Sequence, residues 1–144
     1  MRIDRATAGD ATAVEALLRG AGLPLEGAAE ALSRGVVARD RGAIVAAAAV
    51  ERYGDAGLLR SVVVAPERRG SGIGARLLAA SETLASELGI DKLYLLTDTA
   101  EEWFASLGYE RTEREHVPAR VRSSIEFTTA CSDTAVAMKR RLGS

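Results

Sequence analysis

Between residues 58 and 80 the chain reads LLRSVVVAPERRGSGIGARLLAA. A β-branched, apolar run meets Pro66, then Arg68, Arg69 and three glycines at 70, 72 and 74, and then a stretch of helical spacing. The pattern predicts a buried strand over 58–64, a tight loop and a helix over about 74–88, with Leu77, Leu78, Leu84 and Leu88 on one face. Glycine admits positive φ and close approach of the backbone to a ligand. Successive N–H groups ahead of a helix form an anion site, and the arginines add charge. The expected ligand is a pyrophosphate, and the expected fold must place a strand and a helix on either side of it.

The rest of the chain supplies the other elements. Ile3 opens an extended stretch, and Asp10 is placed to cap a helix carrying Val14, Leu17 and Leu18. A weak helix covers about 26–32. Strands are expected over 36–39 and 43–53, with Asp40-Arg-Gly42 as the hairpin turn between them, and later over 92–97 and 134–139. A short helix is expected over 99–107, extended chain over 109–117, and a further helix over 118–129 opened by Pro118. The 144 residues, with no repeat and no composition break, make one domain over 1–144. The order implies an α/β fold with a mixed, mostly antiparallel sheet and helices on both faces.

Several function classes drop out. Nineteen Lys plus Arg against twenty Asp plus Glu give a net charge of −1, so global charge offers no attraction to nucleic acid or an anionic membrane. One cysteine, Cys131, and one histidine, His116, provide no multi-residue metal site, and none is expected. The longest apolar run, AIVAAAAV at 43–50, cannot span a bilayer, and the charged start carries no signal core. A cytoplasmic location is the expectation. Homodimerisation is left open.

A Walker A loop fails because no Gly-Lys-Ser/Thr is present. Gly70-Ser-Gly72-Ile-Gly-Ala75 formally fits a dinucleotide fingerprint, but residues 65–69 separate it from the strand, and Asp91 precedes the next strand instead of following it. The pattern Arg69-x-x-Gly72-x-Gly74, after Val62-Val-Val64 and Pro66, resembles the acetyl-CoA loop of the Gcn5-related N-acetyltransferases, over nearly the whole chain. The resemblance implies a sheet splayed between the 58–64 and 92–97 strands. Pantetheine would lie in the splay against the backbone of Val62, Val63 and Val64. The pyrophosphate would sit on the N–H groups of Arg69, Gly70, Ser71, Gly72, Ile73, Gly74 and Ala75, with Phe104 beside the cofactor. It also implies direct attack of an amine on the thioester of acetyl-CoA, with no metal.

That family usually places a tyrosine, as general acid, where this chain has Phe104 in Trp103-Phe104-Ala-Ser-Leu-Gly108-Tyr109. Phe104 has no ionisable hydroxyl, and Thr97 is the alternative proton source. The simpler reading of Trp103 is core packing. Residues 95–104 look like the corresponding stretch of N-acetylglutamate synthase acetyltransferase domains. They look still more like the small acetyltransferases associated with arsenic resistance, a resemblance also carried by the stretch from Glu51 to Ser61 and by that from Pro118 through Glu126-Phe127 to Cys131, and one that implies detoxification of arsinothricin or phosphinothricin, both glutamate-like. A non-catalytic acetyl-CoA-binding regulatory module is the rival reading. An acceptor on a protein or peptide is disfavoured, because the 118–131 segment reads as a lid over a small substrate.

A glutamate-like amine would want arginine for its anionic groups. Arg60 shares strand parity with Val62 and Val64 and is the first candidate, with Ser61 beside it and Arg122 second. An ion pair of Arg60 with Glu51 on the neighbouring strand is an equal and compatible expectation. Glu51 is also the candidate general base. His116, among Glu113, Arg114 and Glu115, reads as a solvated strand end, Cys131 as a small packed residue, and Glu101-Glu102 as partners of a helix N-terminus.

Overall fold

The computed structural model describes residues 1–130 and 134–142, so Cys131 lies outside the described residues. The strands are β1 (Arg2–Arg5), β2 (Gly35–Asp40), β3 (Ala43–Tyr53), β4 (Ala56–Val64), β5 (Lys92–Thr97), β6 (Glu110–Arg111) and β7 (Val136–Arg141). They form one sheet in the order β1-β2-β3-β4-β5-β7-β6. Every pair is antiparallel except β4 with β5. The helices are α1 (Ala11–Gly20), α2 (Ala28–Ala31), α3 (Ile73–Glu87), α4 (Glu101–Ser106) and α5 (Ala119–Arg122).

Both faces are covered. On one face Leu77, Leu78, Leu84 and Ala85 of α3 and Phe104 of α4 pack on Val36, Ala46, Ala48, Val50, Leu59 and Leu95. On the other, Val14 and Leu18 of α1 and Ala28 of α2 pack on Val37, Ala47 and Val63, while Val117 and Val121 cover Leu58, Tyr94 and Ala137. The alanine-rich β3 run lets helices approach from either side, since Ala46, Ala47, Ala48 and Ala49 are all fully buried.

Three local expectations are corrected. Asp10 does not cap α1 with its side chain. Its carboxylate accepts from the Thr7 N–H at 2.8 Å and takes both terminal nitrogens of Arg39, at 2.8 and 2.7 Å, pinning the chain ahead of α1 to β2. The 109–117 stretch is not one extended strand: it shortens to β6 and a 3₁₀ turn over Arg114–His116. The helix expected over 118–129 ends at Arg122, and a π-helical turn, Glu126–Ala130, follows.

The feature that makes the site lies in β4. Ser61 has φ +57°, a left-handed conformation rare outside glycine, and Ser61 and Val62 together stand opposite Ala48 between the Ala49–Arg60 and Ala47–Val63 pairs. This is a β-bulge, and it reverses the side-chain alternation along the strand. Leu59 faces α3 before the bulge, Val62 and Val64 face α3 after it, and Val63 faces α1 and α2. The parity linking Arg60 to Val62 and Val64 is therefore broken: Arg60 faces the opposite side of the sheet, toward the α1–α2 connection. A second feature is a split. The parallel ladder between β4 and β5 covers only Ala56, Gly57 and Leu58 against Lys92, Leu93 and Tyr94, and beyond them the two strands separate.

Candidate active site

The split opens into a cleft of about 1070 Å³. Residues 59–64 of β4 form one wall and residues 95–100 the other. The loop at Arg68, Arg69, Gly70 and Gly72 closes one end, and Leu23, Pro24, Arg60, Ser61 and Glu126 border the other.

At the loop end, Gly70 and Gly72 have φ of +80° and +84°, and a Cβ on either would meet nothing within 4 Å. These glycines are required by backbone conformation and by the open space in front of them, not by packing. Gly72 is the N-cap of α3, and Arg76 N–H makes the first intrahelical bond, back to the Gly72 carbonyl, so the N–H groups of Ile73, Gly74 and Ala75 are first-turn donors. A fifteen-residue helix aims its dipole at the same place. Arg69 stands here with its Nε donating to the Val64 carbonyl at 3.3 Å. Arg68 also lines the cleft, tied at 2.6 Å to Asp40, whose carboxyl it holds below the usual range. The combination fits a phosphorylated ligand. Ser71 is an exception among the expected loop residues: its hydroxyl turns back to the Arg68 carbonyl, and it does not line the cleft.

Along the β5 wall, the Thr97 hydroxyl accepts from the Ala100 N–H at 3.0 Å and borders the cleft. Phe104 is buried, with Trp103 and Tyr109 edge-on to it at centroid distances of 4.9 and 5.7 Å. Trp103 is not a core residue. It is 37% exposed and lies against Gly74 at the start of α3. Burial, and Glu82 accepting from its hydroxyl at 2.9 Å, push the Tyr109 phenol well above its ordinary pKa.

The far end is built on Arg60, whose side chain is completely buried. Its Nε donates to Ser61 Oγ at 3.1 Å, Nη1 to Glu51 Oε2 at 3.0 Å and Nη2 to the Glu26 carbonyl at 2.6 Å, with Glu126 Oε2 3.6 Å from Nη2. The expected ion pair with Glu51 is present. The second Glu51 oxygen accepts from the Tyr53 hydroxyl at 2.6 Å; burial and this carboxylate raise the Tyr53 pKa. Of the expected substrate and catalytic residues, Arg60, Ser61 and Thr97 border the cleft, whereas Glu51 sits behind Arg60 and Arg122 is exposed on α5 away from it. His116 is exposed in its turn, and Glu101 and Glu102 open α4. Arg68 borders the cleft as one of the expected loop arginines, whereas Glu126, the Glu26 carbonyl and Trp103 are site elements to which the residue pattern gives no role there. Glu126 lay in a segment read as a lid, where a lone carboxylate has no periodic signal.

A mixed sheet that splits beside a parallel strand pair, with a glycine cradle at a helix start, defines the class of acyl-CoA acyltransferase folds. Residues 31–111 match the acetyltransferase (GNAT) domain family, more than half of the chain, and the protein belongs to that family. It is 31% identical over 110 residues to an amino-acid acetyltransferase of Pasteurella multocida (75% of this chain, 25% of that protein), and 40% identical over 86 residues to one of Pseudomonas fluorescens (58% and 20%). N-acetylglutamate synthase from Neisseria gonorrhoeae, solved with coenzyme A and N-acetyl-glutamate, superimposes with a TM-score of 0.85 at 26% identity, over 99% of this chain and 35% of that one. The chain thus spans about a quarter or less of the curated relatives it matches.

Proposed function

We propose that this domain is an acetyl-CoA-dependent N-acetyltransferase acting by direct transfer on the amine of a small, glutamate-like amino acid. The observation that carries this reading is the continuity of one cleft from the α3 cradle, along the split between β4 and β5, to the Arg60–Glu126 end. Acetyl-CoA supplies the activated acyl group. Backbone at Arg69, Gly70 and Gly72, and the first-turn N–H groups of Ile73, Gly74 and Ala75, would receive the pyrophosphate, a role supported by their position at the cleft end of α3. The β4 edge at Val62, Val63 and Val64 would bond the pantetheine amides, and Phe104 would supply an apolar wall. Thr97 borders the cleft on the β5 side, where its hydroxyl is suited to pass a proton to the departing thiolate. A thiolate is an acceptable leaving group near neutrality, since a free thiol has a pKa of about 8.5.

The amino-acid acceptor is supported by the names of the relatives and by the N-acetyl-glutamate bound in the synthase. Arsinothricin and phosphinothricin share the glutamate skeleton, and both belong in the acceptor panel. The test is release of free thiol from acetyl-CoA with glutamate, arsinothricin, phosphinothricin and neutral amines of similar size. Thiol release with the amino acids supports the proposal. Tight coenzyme A binding without thiol release from any amine would identify a regulatory binding module instead, a reading favoured by one observation, the phenyl ring at 104.

A further inference from the structure

Three charged side chains from three separate parts of the chain meet at the acceptor end: Glu51 of β3, Arg60 of β4 and Glu126 of the π-helical turn. Their formal charges sum to −1. Arg60 bonds to Ser61, Glu51 and the Glu26 carbonyl, so its donors already point at protein acceptors. The α1–α2 connection closes over it: a Cβ on Gly27 would fall 2.9 Å from Arg60 Nη1 and 3.4 Å from Ile125 Cδ1. An incoming carboxylate would have to displace buried carboxylates to reach this guanidinium. Glu51 is satisfied by Tyr53 and Arg60 and does not reach the cleft. Glu126 does reach it. The residue is 5% exposed, borders the cleft beside Arg60 and Ser61, and lies 3.6 Å from Arg60 Nη2.

We propose that Glu126 receives the protonated amine of the acceptor, and that Arg60, backed by Glu51, is a positioning residue that fixes Glu126 and does not itself bind the substrate's anionic group. The inference rests on the acetyltransferase reading and names the group by which that site recognises its acceptor. A carboxylate in a desolvated wall accepts from an ammonium through a charge-assisted hydrogen bond. A hydroxyl on the same carbon skeleton offers no charge, so the wall discriminates amine from alcohol.

The test compares glutamate with 2-hydroxyglutarate, binding to the full chain saturated with coenzyme A and followed by calorimetry. If the thiol-release panel favours another amino acid, that amino acid and its 2-hydroxy analogue are used. The parent is expected to prefer the amine by roughly ten-fold or more, the scale of one charge-assisted bond. Glu126→Gln should bring the two ligands within about two-fold of each other while the coenzyme A affinity stays at the parent value, a change that a merely structural role would not produce. A preference that survives in Glu126→Gln, or that is absent from the parent, overturns the proposal. If Glu126→Gln does not fold, Glu126→Asp is read in its place: it keeps the charge, so the preference should persist with weaker binding of both ligands, and its disappearance overturns the proposal. Failure of the acetyltransferase reading looks different, because the parent would then release no thiol with any amine.

Discussion

The indole of Trp103 lies so close to the α-carbon of Gly74 that a methyl group built there would come within 2.7 Å of Cζ2. The first turn of α3 and the first turns of α4 thus meet at the rim of the cleft. Gly74→Ala should lift the indole away and weaken acetyl-CoA binding by about ten-fold, with little loss of fold stability because an alanine suits a helix interior. Trp103 is the single tryptophan, so its emission reports the event directly. Parent fluorescence should change on titration with coenzyme A, and in Gly74→Ala it should start shifted. An unshifted spectrum with unaltered affinity would show that the indole is irrelevant to the rim.

Gly72 makes a different prediction, because no side chain crowds it. Its φ of +84° is unfavourable for any L-residue with a Cβ, and valine is worse than most. Gly72→Val should cost about 1–2 kcal/mol of stability and should place a branched side chain in the cradle. Coenzyme A affinity should fall by more than about a hundred-fold while the unliganded domain still melts cooperatively. Equal affinity in the variant and the parent would remove the pyrophosphate from this loop.

Phe104 is packed between two rings and has nothing to ionise. Phe104→Leu should lower stability by about 1–2 kcal/mol through lost volume and leave the shape of the pH–rate profile unchanged. Phe104→Tyr should fold normally. The profile of the leucine variant is the check: a new ionisation limb would mean that position 104 participates in proton transfer.

Arg60→Ala should act chiefly on the fold. It strands Glu51 and Glu126 in a buried wall without their shared cation, and breaking such a cluster costs about 3–5 kcal/mol. A melting temperature lower by roughly 10 °C or more is expected for a domain of this size. A variant as stable as the parent would show that the three side chains do not act as a unit.

Asp10 predicts an acid limb of stability. The bidentate Arg39 guanidinium, aided by the Thr7 N–H, holds its carboxyl down at about 2. A depressed folded-state pKa means that the stabilisation is full above the ordinary carboxyl value near 4 and disappears as pH falls through about 2. After allowance for screening by nearby water, Asp10→Asn should lower stability by about 1–2 kcal/mol at neutral pH. It should also narrow its deficit as the pH is taken from 4 to 2. A deficit that is constant across that window would place the effect elsewhere.

The strands β3 and β5 fall where short apolar runs and flanking turn residues put them, because Gly42, Gly54 and Gly89 mark their ends with positive φ. The cradle was legible for the same reason: its conformation is written in residue type. Asp10 was misread because its partner, Arg39, is twenty-nine residues away, and a local capping rule has no knowledge of β2. The bulge at Ser61 left no trace in composition, since serine is not a turn former of the glycine kind, and counting parity through it put Arg60 on the wrong face. Residues 118–130 resemble a helix in content, yet their arrangement depends on packing Val117 and Val121 over Leu58 and Tyr94, which local periodicity does not encode.

The divergence of β4 from β5 leaves a strand edge unmatched in the middle of a seven-stranded sheet. Exposed edges usually invite another chain, but this one is recessed between two walls, where only something slender and extended can lie against it. An occupant of that kind completes the ladder from within. Its presence should therefore be felt as rigidity across the whole C-terminal half. Amide protons on the cleft side of β4 and β5 should exchange slowly when the groove is filled and quickly when it is empty, and the melting point should climb with ligand concentration as mass action requires. In such a domain the thermal stability measured inside a cell would track the supply of the groove's occupant.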